Sequence, residues 1–130
     1  MLNFRLEKYW VEDINYKLNI DTYSSCLGKT INIDPQLKRD IVEIDDNKAI
    51  VKLSIKVDSE KESPFGMLIT ICGEFVCKAW KDTPEGQDFM KFTSVQVLFP
   101  YLRQIVSTVT SLSNIQPYVL PVINVFELFK

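Results

Sequence analysis

Leu98-Phe99-Pro100-Tyr101-Leu102-Arg103-Gln104-Ile105-Val106-Ser107-Thr108-Val109-Thr110-Ser111-Leu112 is the stretch whose reading decides the fold. Leu98, Tyr101, Leu102, Ile105, Val109 and Leu112 recur at steps of three and four. They make one apolar stripe of an α-helix, which Val106 widens. The spacing predicts a helix from Ser94 to Leu112, about 28 Å long. Thr93, with Gln96 three residues on, reads as a capping box at its start. Pro100 lies one turn inside and predicts a kink. Val95, Val97, Ile105, Val106, Thr108, Val109 and Thr110 are β-branched and mediocre helix formers. Such a helix does not hold alone in water and must lie against another surface.

Strands upstream supply that surface. Phe4, Leu6, Trp10, Ile14, Tyr16, Leu18 and Ile20 recur at even positions and predict one face of a long first strand, with a bulge near Glu12-Asp13. Asp21 to Thr30 is rich in Ser, Thr, Gly and Asp and reads as a loop. A second strand follows in two pieces, Ile31 with Ile33 and then Leu37 to Ile44. Pro35 between them suits a sheet edge. Asp45-Asp46-Asn47 is a turn and makes a hairpin with the third strand, in which Ala49, Val51, Leu53, Ile55 and Val57 share a face. The fourth strand starts at Phe65. Phe65, Met67, Ile69, Ile71, Phe75 and Cys77 line one side, and Leu68, Cys72, Val76 and Trp80 make the other side partly apolar. After Leu112 the helix breaks, Tyr118 to Pro121 is extended, and Asn124 to Phe129 reads as a short terminal helix. Strands followed by helices predict an α+β fold. We expect a four-stranded antiparallel sheet, with a long kinked helix and a short C-terminal helix packed on one face, in a single domain spanning residues 1–130.

Composition narrows the function. The 130 residues are 46% hydrophobic and 25% charged, with a net charge of −2. That is ordinary for a globular protein and lacks the basic face of a nucleic-acid binder. No apolar run approaches the 18 residues of a membrane span, and the N-terminus shows no signal-peptide core, so a cytoplasmic protein without membrane insertion is expected. There is no histidine, which removes histidine triads and histidine-ligated metals. Cys26, Cys72 and Cys77 read as free thiols, because Cys72 and Cys77 lie five apart in a strand and face opposite sides. No cofactor or metal is expected. Ser24-Ser25-Cys26 has no base, and Gly28-Lys29-Thr30 lacks the context of a phosphate loop. The sequence therefore predicts no catalysis. The feature that stands out is apolar surface on two faces of a small sheet.

The residues that follow one another as Leu98-Phe99-Pro100-Tyr101, then Arg103 and a Ser/Thr-rich, β-branched helix, resemble the long helix of the SecB family of protein-export chaperones. Pro121-Val122, Asn124, Phe126 and Leu128-Phe129 resemble the start of that family's last helix. Phe4, Trp10, Asp13-Ile14 and Tyr16 resemble its first strand. The resemblance implies a homo-tetramer, a dimer of dimers, that holds unfolded polypeptides in apolar grooves without ATP and delivers them to the SecA motor. Tyr23, Leu27, Ile31, Ile33, Leu37, Val125, Phe126 and Phe129 would line the groove. Leu98, Tyr101, Leu102, Ile105, Val109 and Leu112 would supply the oligomer interface. Asp13 would keep one acidic SecA contact. Lys17 and Leu68 replace two others, and the sequence ends at Lys130 without the family's acidic tail, so SecA binding is expected to be weak or absent. Two alternatives stand beside this reading. One is a SecB-like chaperone dedicated to a single partner such as an antitoxin. The other is a small hot-dog-type acyl-thioester enzyme, against which stands the lack of any acidic residue in 94–112.

Overall fold

Two central strands carry the core. β3 (Lys48–Val57) and β4 (Phe65–Cys77) alternate strictly on one side. Ala49, Val51, Leu53, Ile55 and Val57 from β3, and Phe65, Met67, Ile69, Ile71, Phe75 and Cys77 from β4, are all buried there. β1 (Phe4–Leu18) flanks β4 and β2 (Gln36–Glu43) flanks β3, giving an antiparallel sheet of order β1-β4-β3-β2. The computed structural model describes residues 3–25, 33–58, 63–112, 118–121 and 124–129. The expected α+β architecture is present, with β2 and β3 as the hairpin and Pro35 just ahead of edge strand β2.

β1 departs from the single-faced strand expected. Its pairing with β4 shifts between Leu6 and Lys8 and again between Val11 and Asp13. Each bulge adds one residue and flips the side-chain phase. Phe4 and Leu6 face inward opposite Cys77 and Phe75. Lys8 and Trp10 then turn outward opposite Glu74 and Cys72, while Tyr9 and Val11 take the inner side. The second bulge, at the position expected, restores the first phase for Ile14, Tyr16 and Leu18. Trp10 is therefore not on the core face. The stretch after β1 is also not all loop. Ile20–Ser25 forms a short helix, α1, with the Asn19 side chain accepting from the Thr22 amide at 3.3 Å.

The long helix starts earlier than its stripe implied. After a 3-10 turn (Trp80–Asp82) and the extended Thr83, α2 (Pro84–Asp88), a π-helical turn (Phe89–Thr93) and α3 (Ser94–Ser111) follow one another without a break. The N-cap is Thr83, whose hydroxyl accepts from the Gly86 amide at 3.0 Å, with Pro84 in the first helical position. Thr93 is already helical and caps nothing. Met90 and Ser94 explain the continuity, because the Ser94 hydroxyl donates back to the Met90 carbonyl at 2.6 Å within wound chain. Pro100 sits inside α3 on its exposed side.

α3 lies across β4, β3 and β1. Val95, Leu98, Phe99, Leu102, Val106 and Val109 are buried against the sheet. Leu98, Leu102 and Val109, expected at an oligomer contact, are thus already covered by the chain's own sheet. A helix of poor intrinsic propensity needs that cover to exist at all. Of the six stripe residues only Tyr101, Ile105 and Leu112 keep exposed surface. The other flank of α3 binds the extended segment Tyr118–Pro121. Tyr118 N–H donates to Thr110 Oγ1 at 2.9 Å, Ser107 Oγ donates to the Tyr118 carbonyl at 3.3 Å, and Arg103 Nε donates to the Leu120 carbonyl at 3.0 Å. This strap delivers α4 (Val125–Leu128) to the sheet, capped by the Asn124 side chain at the amides of Phe126 and Glu127.

The outer sheet face is mixed, with paired charges standing beside the apolar Trp10, Leu68 and Val76. Lys52 Nζ lies 3.0 Å from Glu12 Oε1, and Cys72 Sγ lies 3.6 Å from Glu12 Oε2. Lys52 holds the Glu12 carboxyl below its usual range, and the same bond raises Lys52. Burial, helped by the Glu12 charge, pushes the Cys72 thiol up to about 11. Ser54 and Thr70 share a hydrogen bond of 2.9 Å across β3 and β4. Asp13, Lys17 and Leu68 lie on this face too, by their pairing with Thr70, Gly66 and Asn15.

Two predictions follow from this packing. A Cβ on Gly73 would come within 2.9 Å of Leu98 Cδ2 and 2.7 Å of Phe75 Cε2. Gly73→Ala should therefore cost about 1–3 kcal/mol in chemical denaturation. Combined with Leu98→Ala, the loss should be smaller than the sum of the two, because the truncated leucine makes room. The second concerns alkaline pH. The folded Cys72 thiol stays protonated to about 11, whereas in the unfolded chain it ionises near about 8.5. Its contribution to stability is complete below the unfolded value and is lost as pH rises towards the folded one. The melting temperature of Cys72→Ala should thus fall less steeply than that of the wild type between those two limits.

Candidate functional site

The inner face of edge strand β2 is the part of the sheet that α3 leaves least covered. Its inward residues are Leu37, Arg39 and Ile41, opposite Ile55, Leu53 and Val51 of β3. All three are half-buried. Above them stand aromatic rings from two other elements. Phe92 comes from the π-helical turn, and Phe126 and Phe129 come from α4 and its end. The Phe92 and Phe126 centroids are 4.9 Å apart. Arg39 lies between rings, with its guanidinium carbon 5.7 Å from the Phe92 centroid and 5.0 Å from that of Phe129. Its Nη1 donates to the Lys91 carbonyl, and burial lowers its pKa. Phe126 and Leu128 remain 51% and 47% exposed.

Local sequence explains how these groups come together. Period-two alternation places residues 37, 39 and 41 on one side of β2. The strap residues fixed by Thr110, Ser107 and Arg103 set where α4 begins, and the Asn124 cap turns Phe126 outward while Val125 packs into the core. The backbone of β2 pairs on one side only among the described residues, with β3. Its other edge offers amides and carbonyls to an added strand. The arrangement is a shallow apolar surface beside an open strand edge, able to hold an extended polypeptide by backbone pairing and buried area.

The expected groove residues fare unevenly. Ile33, Leu37 and Phe129 lie here as half-buried side chains packed on the core, and Phe126 is exposed. Val125 is 4% exposed and belongs to the core. Helix phase puts it under α4, on the core side. Tyr23 lies on α1, half-buried, and no ring contact joins it to the Phe92, Phe126 and Phe129 cluster among the described residues. Leu27 and Ile31 fall outside the described residues. Sequence reasoning singled out neither Arg39 nor Ile41 within the second strand, and did not connect Phe92 with it. The alternation Leu37, Arg39, Ile41 carried a usable signal, since an arginine occupies an inward position of an otherwise apolar face.

A second apolar surface lies at the opposite sheet edge. Tyr9, Val11 and Ile14 of β1 are 46%, 39% and 49% exposed on the helix-bearing side. The Tyr9 ring stacks on Tyr101 of α3 at 4.3 Å. Ile105 is half-buried and Leu112 is 76% exposed. Among the described residues, no group of three or more Cys, Asp or Glu side chains is placed to hold a metal ion, and no helix is long and apolar enough to cross a membrane.

Comparison with known proteins places this architecture. The chain is 31% identical over 126 residues to the uncharacterized protein MJ0357 of Methanocaldococcus jannaschii, an alignment that covers 93% of this chain and 79% of that one. Its fold is similar to that of the Mycobacterium tuberculosis Rv1957 SecB-like chaperone, solved in complex with a peptide from the Rv1956 HigA1 antitoxin. The TM-score is 0.74 at 12% identity, covering 92% and 90% of the two chains. A Streptococcus agalactiae protein of unknown function matches more loosely, with a TM-score of 0.50 and 8% identity over 94% and 99% of the chains. The family model described as preprotein translocase subunit SecB matches residues 1–130. The chain belongs to the SecB family.

Proposed function

We propose that this SecB-family chaperone is an ATP-independent holdase that binds unfolded polypeptide segments in extended form at the β2 edge. Clients would lie across Leu37, Ile41, Phe92, Phe126 and Phe129. The observation that carries the reading is that Phe126 and Leu128 stay half-exposed on a short helix whose neighbour Val125 is core. α4 therefore holds large apolar groups in water at a fixed place beside unpaired backbone. Such a surface gains by area when an unfolded chain covers it. We read the function as binding rather than catalysis, and membership of the SecB family supports that reading over a hot-dog enzyme. The antitoxin peptide in the Rv1957 complex supports polypeptide clients and favours a dedicated chaperone as the second reading. We place the protein in the cytoplasm, where the family works.

Delivery to SecA through the outer sheet face is not part of this reading. Asp13 stands there with Lys17 and Leu68 on the same strand pair, and the neighbouring acids Glu12 and Glu74 are engaged by Lys52 and Lys8. Exposed charge pairs contribute about 0–1 kcal/mol each, so Asp13 by itself recruits little. Assembly is read from the other edge. Tyr9, Val11 and Ile14, with Tyr101, Ile105 and Leu112, form a seam along an open strand that a second copy would cover, and a dimer of dimers follows the family.

Two measurements test these readings. Suppression of aggregation of a slowly refolding protein, followed by light scattering without ATP, should be strong for the wild type. It should weaken several-fold for Phe126→Ser with Leu128→Ser, with circular dichroism unchanged because both side chains are half outside the core. Unchanged suppression would remove α4 from the binding surface. Multi-angle light scattering on a gel-filtration peak should give a dimer or tetramer, and Val11→Lys with Ile14→Lys should reduce the mass to that of a smaller species. A wild-type monomer at micromolar concentration would refute the seam.

A further inference from the structure

Arg39 is out of place in a surface meant only for apolar segments. It is half-buried on the inner face of β2, between Leu37 and Ile41, with aromatic rings on two sides. Its guanidinium carries five N–H donors. The hydrogen bond it makes is to the Lys91 carbonyl. Among the described residues no carboxylate forms an ion pair with it, although Glu12, Glu74, Asp40, Asp58, Glu7 and Glu43 are each paired with some other cation. The ring faces offset part of the charge, and because Arg39 is only half-buried its remaining donors can reach water while the surface is empty.

That balance changes when a client lies down. A purely apolar segment covering the site would strip the water from a cation and leave donors unpaired, which is costly. A lysine or arginine would add like-charge repulsion. A glutamate or aspartate would instead meet a planar fork suited to two parallel bonds. Resting on the groove reading above, we propose that Arg39 makes this site selective for extended segments in which one acidic side chain is flanked by apolar residues. The general holdase surface thereby becomes one that discriminates by charge at a fixed register. The same residue would disfavour basic segments of equal hydrophobicity.

The test uses the full chain and short acetylated, amidated peptides of Leu, Phe and Ser that differ only in a central Glu, Gln or Lys. Binding is read by fluorescence anisotropy. The wild type should prefer Glu over Gln by about tenfold and bind Lys most weakly. The preference should shrink as salt is raised. In Arg39→Met the Glu preference should vanish while the Gln peptide binds as well as before or better. Arg39→Lys, which keeps the charge and loses the fork, should retain only part of it. Equal binding of Glu and Gln by the wild type overturns the inference and leaves the holdase reading standing. A preference that survives in Arg39→Met overturns it too, since the carboxylate is then read elsewhere. A Gln peptide with a free C-terminal carboxylate that matches the Glu peptide assigns the site to chain ends and overturns the side-chain reading. Binding of none of the peptides refutes the groove itself. If Arg39→Met fails to fold by circular dichroism, the wild-type comparison and Arg39→Lys still decide.

Discussion

The contact on which this molecule depends is the seating of α3 on β4 and β3. Gly73 removes a side chain from the sheet where Leu98 descends, and Val95, Leu102, Val106 and Val109 fill the surface on either side. α3 is rich in β-branched residues and contains a proline, so its hydrogen-bonded ladder gives little stability by itself. Burial against the sheet supplies it. The sheet in turn has one face of Val, Leu, Ile and Phe that water would not tolerate uncovered.

Once α3 is fixed, the rest of the chain is positioned from it. The hydroxyls of Ser107 and Thr110 and the guanidinium of Arg103 face the flank, where they hold the strap at Tyr118 and Leu120. Thr110 is buried and also bonds back to the Val106 carbonyl at 2.9 Å, so it serves helix and strap together. The strap sets the start of α4, and α4 sets the aromatic rings over β2. A chain of polar contacts thus carries the position of the helix to the candidate binding surface.

One helix covers two central strands well and two edge strands poorly. That geometry leaves apolar residues exposed at both edges, Tyr9, Val11 and Ile14 at β1 and the β2 surface with Phe126 and Leu128. Exposed edges invite uncontrolled pairing unless something limits them. On β1 the two bulges interrupt the register and turn Lys8 and Trp10 outward. On β2 a cation, Arg39, stands in the middle of the apolar row. An apolar edge that stays open without collapsing onto its neighbours needs such interruptions, and both are placed by strand phase.

The sequence by itself determined the elements whose periodicity was long and uninterrupted. The stripe from Leu98 to Leu112, the alternation from Ala49 to Val57 and the inward row from Phe65 to Cys77 each fixed an element and its buried face, because apolar side chains at those spacings have only one way to leave water together. The family pattern was legible in Leu98-Phe99-Pro100-Tyr101 of that stripe and in the two ends of the chain, Phe4 to Tyr16 and Pro121 to Phe129. Tertiary structure decided what local pattern leaves open. The phase of Trp10 depended on two bulges, which pairing with β4 creates and which no single strand specifies. The start of the helical body moved to Thr83, because Ser94 bonds back to Met90 within wound chain and Thr93 is already helical, so a good capping sequence went unused. Leu98, Leu102 and Val109 turned out to serve the core, since a stripe shows that a helix must be covered but not by which chain. Arg39 met the aromatic cluster only when Phe92 and Phe129, 53 and 90 positions further along, were brought to its guanidinium; nothing short of the fold places a cation against rings so distant in sequence.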